Sequence, residues 1–182
     1  MIREIDKNDI PVCVQVIRES FLTVADEFHF TKENAPRFTA FSASKECLLW
    51  QFNAGRPMFA YLDCDKIIGY FSLEKKENGA CELNNLCALP AYRHDGIGGK
   101  LLTYAFDRAR EMQCSKMCIG IVEENQVLRR WYESYGFMHT HTQKFDFFPF
   151  TCGYMEKTLY GRANHASKSR FGGFCVLRDL IL

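Results

Sequence analysis

Arg93-His94-Asp95-Gly96-Ile97-Gly98-Gly99-Lys100 decides how this chain is read. It joins an apolar, strand-like run, Leu83 to Leu89, to a helical pattern that begins near Ile97. A glycine-rich turn entering a helix gathers unpaired backbone N–H groups around one concave point. The positive end of the helix dipole is aimed at the same point, so the turn suits a phosphate or pyrophosphate. Glycine matters there because a Cβ would hold the backbone away from an anion and restrict φ. The stretch is not a Walker A loop, since Lys100 is followed by Leu101, and Leu101 also stands where a Gly-x-Gly-x-x-Gly motif needs its third glycine. A glycine-rich turn without a ligand is the alternative at this point.

Working outward, Ile97, Leu101, Leu102, Ala105, Phe106 and Ala109 recur at helical spacing. Upstream, Ile2 to Ile5 reads as a strand. Asp9 is expected to cap a helix reaching about Phe28, with Pro11 in its first turn and Val12, Val16, Ile17 and Phe21 along one face. Phe28 to Phe41 is aromatic and irregular, broken by Pro36, and a second helix from Ser44 to Phe52 stops at Gly55. Met58 to Leu62 and Lys66 to Leu73 form a hairpin, and Cys81 to Leu89 follows the Glu77-Asn78-Gly79 turn. Downstream come a strand from Lys116 to Val122, a short helix from Asn125 to Tyr135 ending at Gly136, and strands over Phe137 to Phe145 and Cys152 to Leu159. Hairpins mixed with strand–helix units predict an α/β fold with a sheet of mixed direction.

The 182 residues, 47% hydrophobic and 25% charged, suit one domain with a substantial core. A net charge of +1 argues against nucleic acid, a membrane surface or a strongly acidic substrate. No apolar run approaches a membrane span, and the Met1-Ile2-Arg3-Glu4 start does not read as a signal peptide. Nine cysteines, singly spaced and without a Cys-x-x-Cys, fit reduced thiols in a cytoplasm better than zinc or a disulfide framework. His139 and His141 alternate on one strand with no third ligand, so no metal is expected.

Three patterns then follow in fixed order. They are Glu82-Leu83-Asn84-Asn85-Leu86-Cys87-Ala88-Leu89-Pro90, Arg93-His94-Asp95-Gly96-Ile97-Gly98, and Asn125-Gln126-Val127-Leu128-Arg129-Arg130-Trp131-Tyr132-Glu133-Ser134-Tyr135-Gly136-Phe137. This order resembles the GNAT superfamily of N-acetyltransferases. The loop is similar to that family's Arg/Gln-x-x-Gly-x-Gly/Ala acetyl-CoA motif. The third segment is similar to its Asn-x-x-Ala-x-x-Leu-Tyr-x-x-x-Gly-Phe pattern, with Leu128 for the common alanine and Trp131 for the common leucine. The likeness spans about Ile2 to Leu159, which implies one GNAT domain over residues 1–160. Residues 161–182, polar and basic at first and apolar from Phe174, read as an appended element that docks on the domain or on a partner.

The resemblance implies a mixed, mainly antiparallel central sheet flanked by helices, with a splayed parallel strand pair at the acetyl-CoA site. It implies acetyl-CoA as cosubstrate. Asp95, Gly96, Ile97, Gly98, Gly99 and Lys100 would cradle the pyrophosphate, with Arg93 and His94 leading in and Arg93 contacting phosphate. Backbone groups of Cys87, Ala88 and Leu89 would pair with pantetheine as an added strand does. That needs this strand to splay from Met117 to Val122, usually through a bulge. Asn125 would both cap its helix and lie near the pantetheine arm.

The implied reaction is acetyl transfer to a primary amine by direct attack. An ammonium cannot attack a thioester, so a base must take a proton. Glu82, eleven residues before Arg93, stands where histone-type members carry their catalytic glutamate. Tyr132 would give a proton to the departing thiolate, and the N–H of Leu89 or Cys87 would meet the oxyanion. A period of two puts Glu82, Asn84 and Leu86 on one face and Leu83, Asn85 and Cys87 on the other, with Asn84 orienting a water beside Glu82. The acceptor, a small-molecule or peptide amine, would lie between Phe21 to Phe41 and Phe145 to Tyr154. Glu27, His29, Glu33 or Asp146 would hold it, among Phe28, Phe30, Phe38, Phe147, Phe148 and Phe150. The same aromatics could instead close the core or form a homodimer surface. The rival from another class is a non-catalytic acyl-CoA-binding or sensor domain that keeps the loop without turnover.

Overall fold

The computed structural model describes residues 1–160, and the expected tail element over residues 161–182 lies outside them. The strands are β1 (Ile2–Glu4), β2 (Met58–Asp63), β3 (Lys66–Lys75), β4 (Ala80–Ala88), β5 (Lys116–Val122), β6 (Met138–Lys144) and β7 (Thr151–Thr158). They form one sheet in the order β1-β2-β3-β4-β5-β7-β6. The β4–β5 pair is parallel and every other pair antiparallel, as the mixed pattern predicts. The helices are α1 (Ile10–Glu27), α2 (Thr39–Ser42), α3 (Lys45–Asn53), α4 (Ile97–Glu111) and α5 (Gln126–Ser134).

Each helix packs for a reason visible in its residues. In α4 the predicted stripe is inward, with Leu101, Leu102, Ala105 and Ala109 fully buried; each leucine contributes about 1.5–3 kcal/mol of hydrophobic stabilisation. Entry into α1 differs from expectation. Asp6 caps a preceding 3₁₀ turn by accepting from the Asn8 N–H at 2.6 Å. The Asp9 carboxylate makes no cap to α1 and instead takes the Arg3 guanidinium at 2.6 and 3.0 Å, tying β1 to the helix. Val12, expected on the inward face, is 43% exposed, because that face runs through Ile10, Cys13, Val14 and Ile17. The segment after α1 is not wholly irregular, since α2 adds one helical turn.

Two buried clusters divide the interior. The larger joins α1 and α4 to the sheet through residues such as Ile17, Tyr70, Phe71, Leu73 and Met117. The smaller is aromatic: Phe30 lies 4.8 Å from Phe150 and 5.1 Å from Phe38, and Phe148 stacks 4.5 Å from Phe150. The core-closing reading therefore holds for Phe30 and Phe148, while Phe38 and Phe150 pack in the same cluster and also border a cavity. None of the eight cysteines among the described residues is in a disulfide. Among the same residues, no helix is long and apolar enough to cross a membrane.

Candidate active site

Parallel pairing between β4 and β5 runs Ala80↔Lys116, Cys81↔Met117 and Glu82↔Cys118, and then stops. On the other side of β4 the register with β3 slips between Ser72↔Asn84 and Tyr70↔Cys87, so β4 carries one extra residue. Asn85 takes that extra place with φ +53°, a left-handed conformation that asparagine tolerates better than most residues. The bulge bends β4 away from β5, which is the expected splay. It also breaks the alternation of faces. Asn84 and Asn85 line the same cavity, which corrects the period-two assignment of one asparagine to each side.

Beyond the bulge the ladder decides which backbone groups are free. The Leu89 N–H donates to the Ile68 carbonyl at 2.8 Å. Alternate residues of an antiparallel strand point to opposite neighbours. Ala88, paired with Gly69, therefore turns its N–H and C=O toward the gap left by β5. Cys87, paired with Tyr70, shares the orientation of Leu89 and points toward β3. Of the three backbone positions expected to meet pantetheine and the oxyanion, Ala88 is the one that faces the opening. The Cys87 thiol is pushed up to about 12 by burial, with smaller opposing hydrogen bonds to Ser20 and the Tyr70 backbone, so it remains a thiol at neutral pH.

The glycine loop sits at the end of this opening. His94 and Gly96 both adopt positive φ, +70° and +75°, and turn the chain into α4. Among the described residues, no backbone hydrogen bond uses the N–H groups from His94 to Gly99, whereas Lys100 N–H already bonds the Gly96 carbonyl. The Arg93 side chain departs from expectation. It donates to the Thr23 hydroxyl at 2.8 Å and the Ser20 carbonyl at 2.7 Å, clamping the loop to α1 instead of reaching over it. Lys100 is exposed, its ammonium 6.0 Å from the Tyr61 ring centroid. Gly98 and Gly99 also serve packing. A Cβ at residue 98 would lie 3.5 Å from the Trp131 ring, and one at residue 99 would collide with the Tyr135 hydroxyl.

Helix α5 supplies the remaining wall. Asn125 Oδ1 accepts the Leu128 N–H at 2.9 Å, so the residue caps α5, and it also lines the cavity. Tyr132 packs its ring 4.8 Å from Trp131 and 5.3 Å from Phe137. Burial, with the Cys87 sulfur adding to it, raises the phenol well above its ordinary value and holds it protonated. Tyr132 is not among the residues lining the cavity itself.

That cavity, about 140 Å³, is walled by α1, α2, α3, β4, β5, α5 and the start of β7. Glu82 forms part of it and is only 6% exposed. Its Oε2 lies 2.7 Å from Lys76 Nζ, which also meets Glu74 Oε1 at 2.7 Å, while Glu74 Oε2 takes Arg56 at 2.8 Å. Glu27, His29, Glu33 and Asp146 are all exposed and none lines the cavity, so the expected acceptor-holding groups are not brought to it. Phe38 and Phe150 do line it, joined by Phe21, whereas Phe28 and Phe147 do not. Gln51 also lines it and was not singled out from the sequence. A lone amide in an apolar helical stretch, Leu48-Leu49-Trp50-Gln51-Phe52, was its only signal. His139 pairs with Glu123 at 3.0 Å and His141 stacks on Tyr154 at 4.5 Å.

A seven-stranded mixed sheet opens beside a glycine loop whose N–H groups from His94 to Gly99 make no backbone hydrogen bond among the described residues, and comparison with known proteins identifies the family. The profile of the Acetyltransferase (GNAT) family matches residues 19–137. The chain belongs to this family and is an acyltransferase. An N-acetyltransferase of Lactobacillus delbrueckii subsp. lactis, itself uncharacterized, is 24% identical over 145 residues, 73% of this chain and 81% of its own length. The PaiA N-acetyltransferase of Thermoplasma acidophilum, solved with coenzyme A, matches with a TM-score of 0.74 at 22% identity, covering 87% of this chain and 98% of that one. A putative acetyltransferase of Salmonella typhimurium, solved with acetyl-CoA, matches with a TM-score of 0.69 at 20% identity, covering 92% and 98%. The two structural likenesses establish a shared fold.

Proposed function

We propose that this protein transfers the acetyl group of acetyl-CoA to a primary amine by direct attack. The observation that carries the reading is the opening between β4 and β5 beyond Glu82↔Cys118, which exposes Ala88 beside the unbonded loop N–H groups. An extended pantetheine arm fits such an opening as an added strand, and a pyrophosphate fits the first turn of α4. Asp95, Gly96, Ile97, Gly98 and Gly99 would bind the phosphates through backbone N–H groups, and Ala88 would hold the arm. Arg93 serves by pinning the loop to α1. Bound acetyl-CoA would supply the activated thioester.

Glu82 is the base in this reading. It stands in the cavity wall and takes one proton from the incoming ammonium, directly or through a water held with Asn84. The Ala88 N–H, aimed into the gap, would donate to the oxygen that gains charge as the nitrogen adds. Tyr132 gives its proton to the departing sulfur and is restored by the second proton the nitrogen sheds. The C–N bond forms, the C–S bond breaks, and one proton is released overall.

Calorimetric titration with acetyl-CoA, combined with thiol release against a panel of amines, tests the proposal. Saturable binding and amine-dependent release are expected. Binding without release across a broad panel would describe a sensor instead, and absence of acetyl-CoA binding would overturn the reading of the loop.

A further inference from the structure

The cavity beside Glu82 has a chemical character that bears on the acceptor. Among the described residues lining it, Glu82 is the one charged group, and Lys76 already meets it at 2.7 Å. Phe21, Phe38 and Phe150 make much of the remaining wall. Gln51, 2% exposed, donates through Nε2 to Cys47 Sγ at 3.5 Å, but its Oε1 is buried with no hydrogen-bond partner. On the β4 side, Asn84 Nδ2 is likewise buried and unpartnered. Both residues line the cavity, although neither orphan atom is itself exposed to it; a buried polar atom left unmet is unfavourable, so a bound molecule that draws either side chain inward would complete the bonding.

We infer that the amine accepted here is a monoamine with an aromatic or otherwise apolar body carrying one neutral hydrogen-bond donor, such as a phenolic hydroxyl, that meets Gln51 Oε1. The inference rests on the acetyl-transfer reading and narrows it. A polyamine or aminosugar would bring several positive charges to a wall whose single carboxylate is already paired. A free amino acid would bring a carboxylate to a wall with no cation of its own. An apolar monoamine brings one charge, and desolvation between phenylalanine rings favours its loss, which is the form that attacks. Asn84 Nδ2 stays available for the water or carbonyl oxygen beside Glu82.

The test uses the full chain and acetyl-CoA, with thiol release followed for tyramine, phenethylamine, spermidine, lysine and kanamycin. Tyramine is expected to show the highest kcat/KM, about tenfold above phenethylamine, since only its hydroxyl satisfies Gln51. In Gln51→Met that ratio should fall toward one. If Gln51→Met no longer binds acetyl-CoA, Gln51→Asn, which withdraws the amide by one methylene, reads the same ratio. Higher kcat/KM for spermidine, lysine or kanamycin than for tyramine would overturn the inference while leaving acetyl transfer intact. Acetyl-CoA binding with no release from any of the five would overturn it and leave the cofactor site standing. Failure to bind acetyl-CoA would remove both.

Discussion

Lys76 Nζ lies 2.7 Å from Glu82 Oε2 and 2.7 Å from Glu74 Oε1, so one lysine just beyond β3 joins the carboxylate in the cavity wall to a second carboxylate outside it. Burial pulls the Lys76 ammonium downward, but hydrogen bonds and attraction to the two glutamates outweigh it and leave the group raised. If Glu82 is the base, Lys76→Met removes the cation that favours its ionised form. The acid limb of kcat/KM against pH should then move to higher pH. An acid limb that stays where it is would assign the limb to another group.

Tyr132→Phe keeps the ring against Trp131 and Phe137 and removes only the hydroxyl. A proton donor in the transition state is worth roughly 10²–10⁴-fold in rate. The variant should therefore lose about that much kcat while its melting temperature stays close to wild type. Full activity in the variant would reduce Tyr132 to a packing residue.

Gly99→Ala places a Cβ against the Tyr135 hydroxyl. Overpacking of this kind costs about 1–3 kcal/mol, and the strain falls on the first turn of α4. Lower thermal stability and weaker acetyl-CoA binding are expected together. Combining Gly99→Ala with Tyr135→Phe removes the colliding oxygen and should recover part of the stability. A double variant no better than the single one would show that the collision is relieved some other way.

The Arg3 guanidinium, by hydrogen bonding, holds the Asp9 carboxyl below its ordinary value of 3.8, against a smaller opposing effect of burial. A carboxyl depressed in the folded state stabilises the protein above the unfolded value, and that stability is lost as pH falls through the folded one. Asp9→Asn should therefore lower the melting temperature at neutral pH. The gap from wild type should close as the pH drops below the ordinary carboxylate range. A gap of constant size across that range would mean that the Arg3–Asp9 pair contributes through geometry alone.

The site was legible unevenly, and the reasons are local. The glycine loop, the α4 stripe and the Asn125 cap are written in adjacent residues, because helix periodicity and turn chemistry act over a few positions. The bulge at Asn85 is not, because it appears only when β4 is set against β3 and one residue fails to find a partner. Arg93 looked like a phosphate ligand by neighbourhood, yet its side chain reaches Ser20 and Thr23, about seventy positions earlier in the chain. Glu27, His29, Glu33 and Asp146 have suitable chemistry but face solvent, and exposure is a property of packing that composition does not carry.

By itself, the order of residues determined the family, the mixed α/β sheet and the position of the loop, since these follow from repeating local preferences and a short motif. Tertiary structure alone decided which strands part, which backbone N–H faces the gap, and which polar atoms are left buried without partners. Those outcomes depend on where distant segments meet: Lys76 reaches Glu82 across a turn, Tyr135 settles on Gly99, and Gln51 from α3 comes to share a cavity with Asn84 from β4.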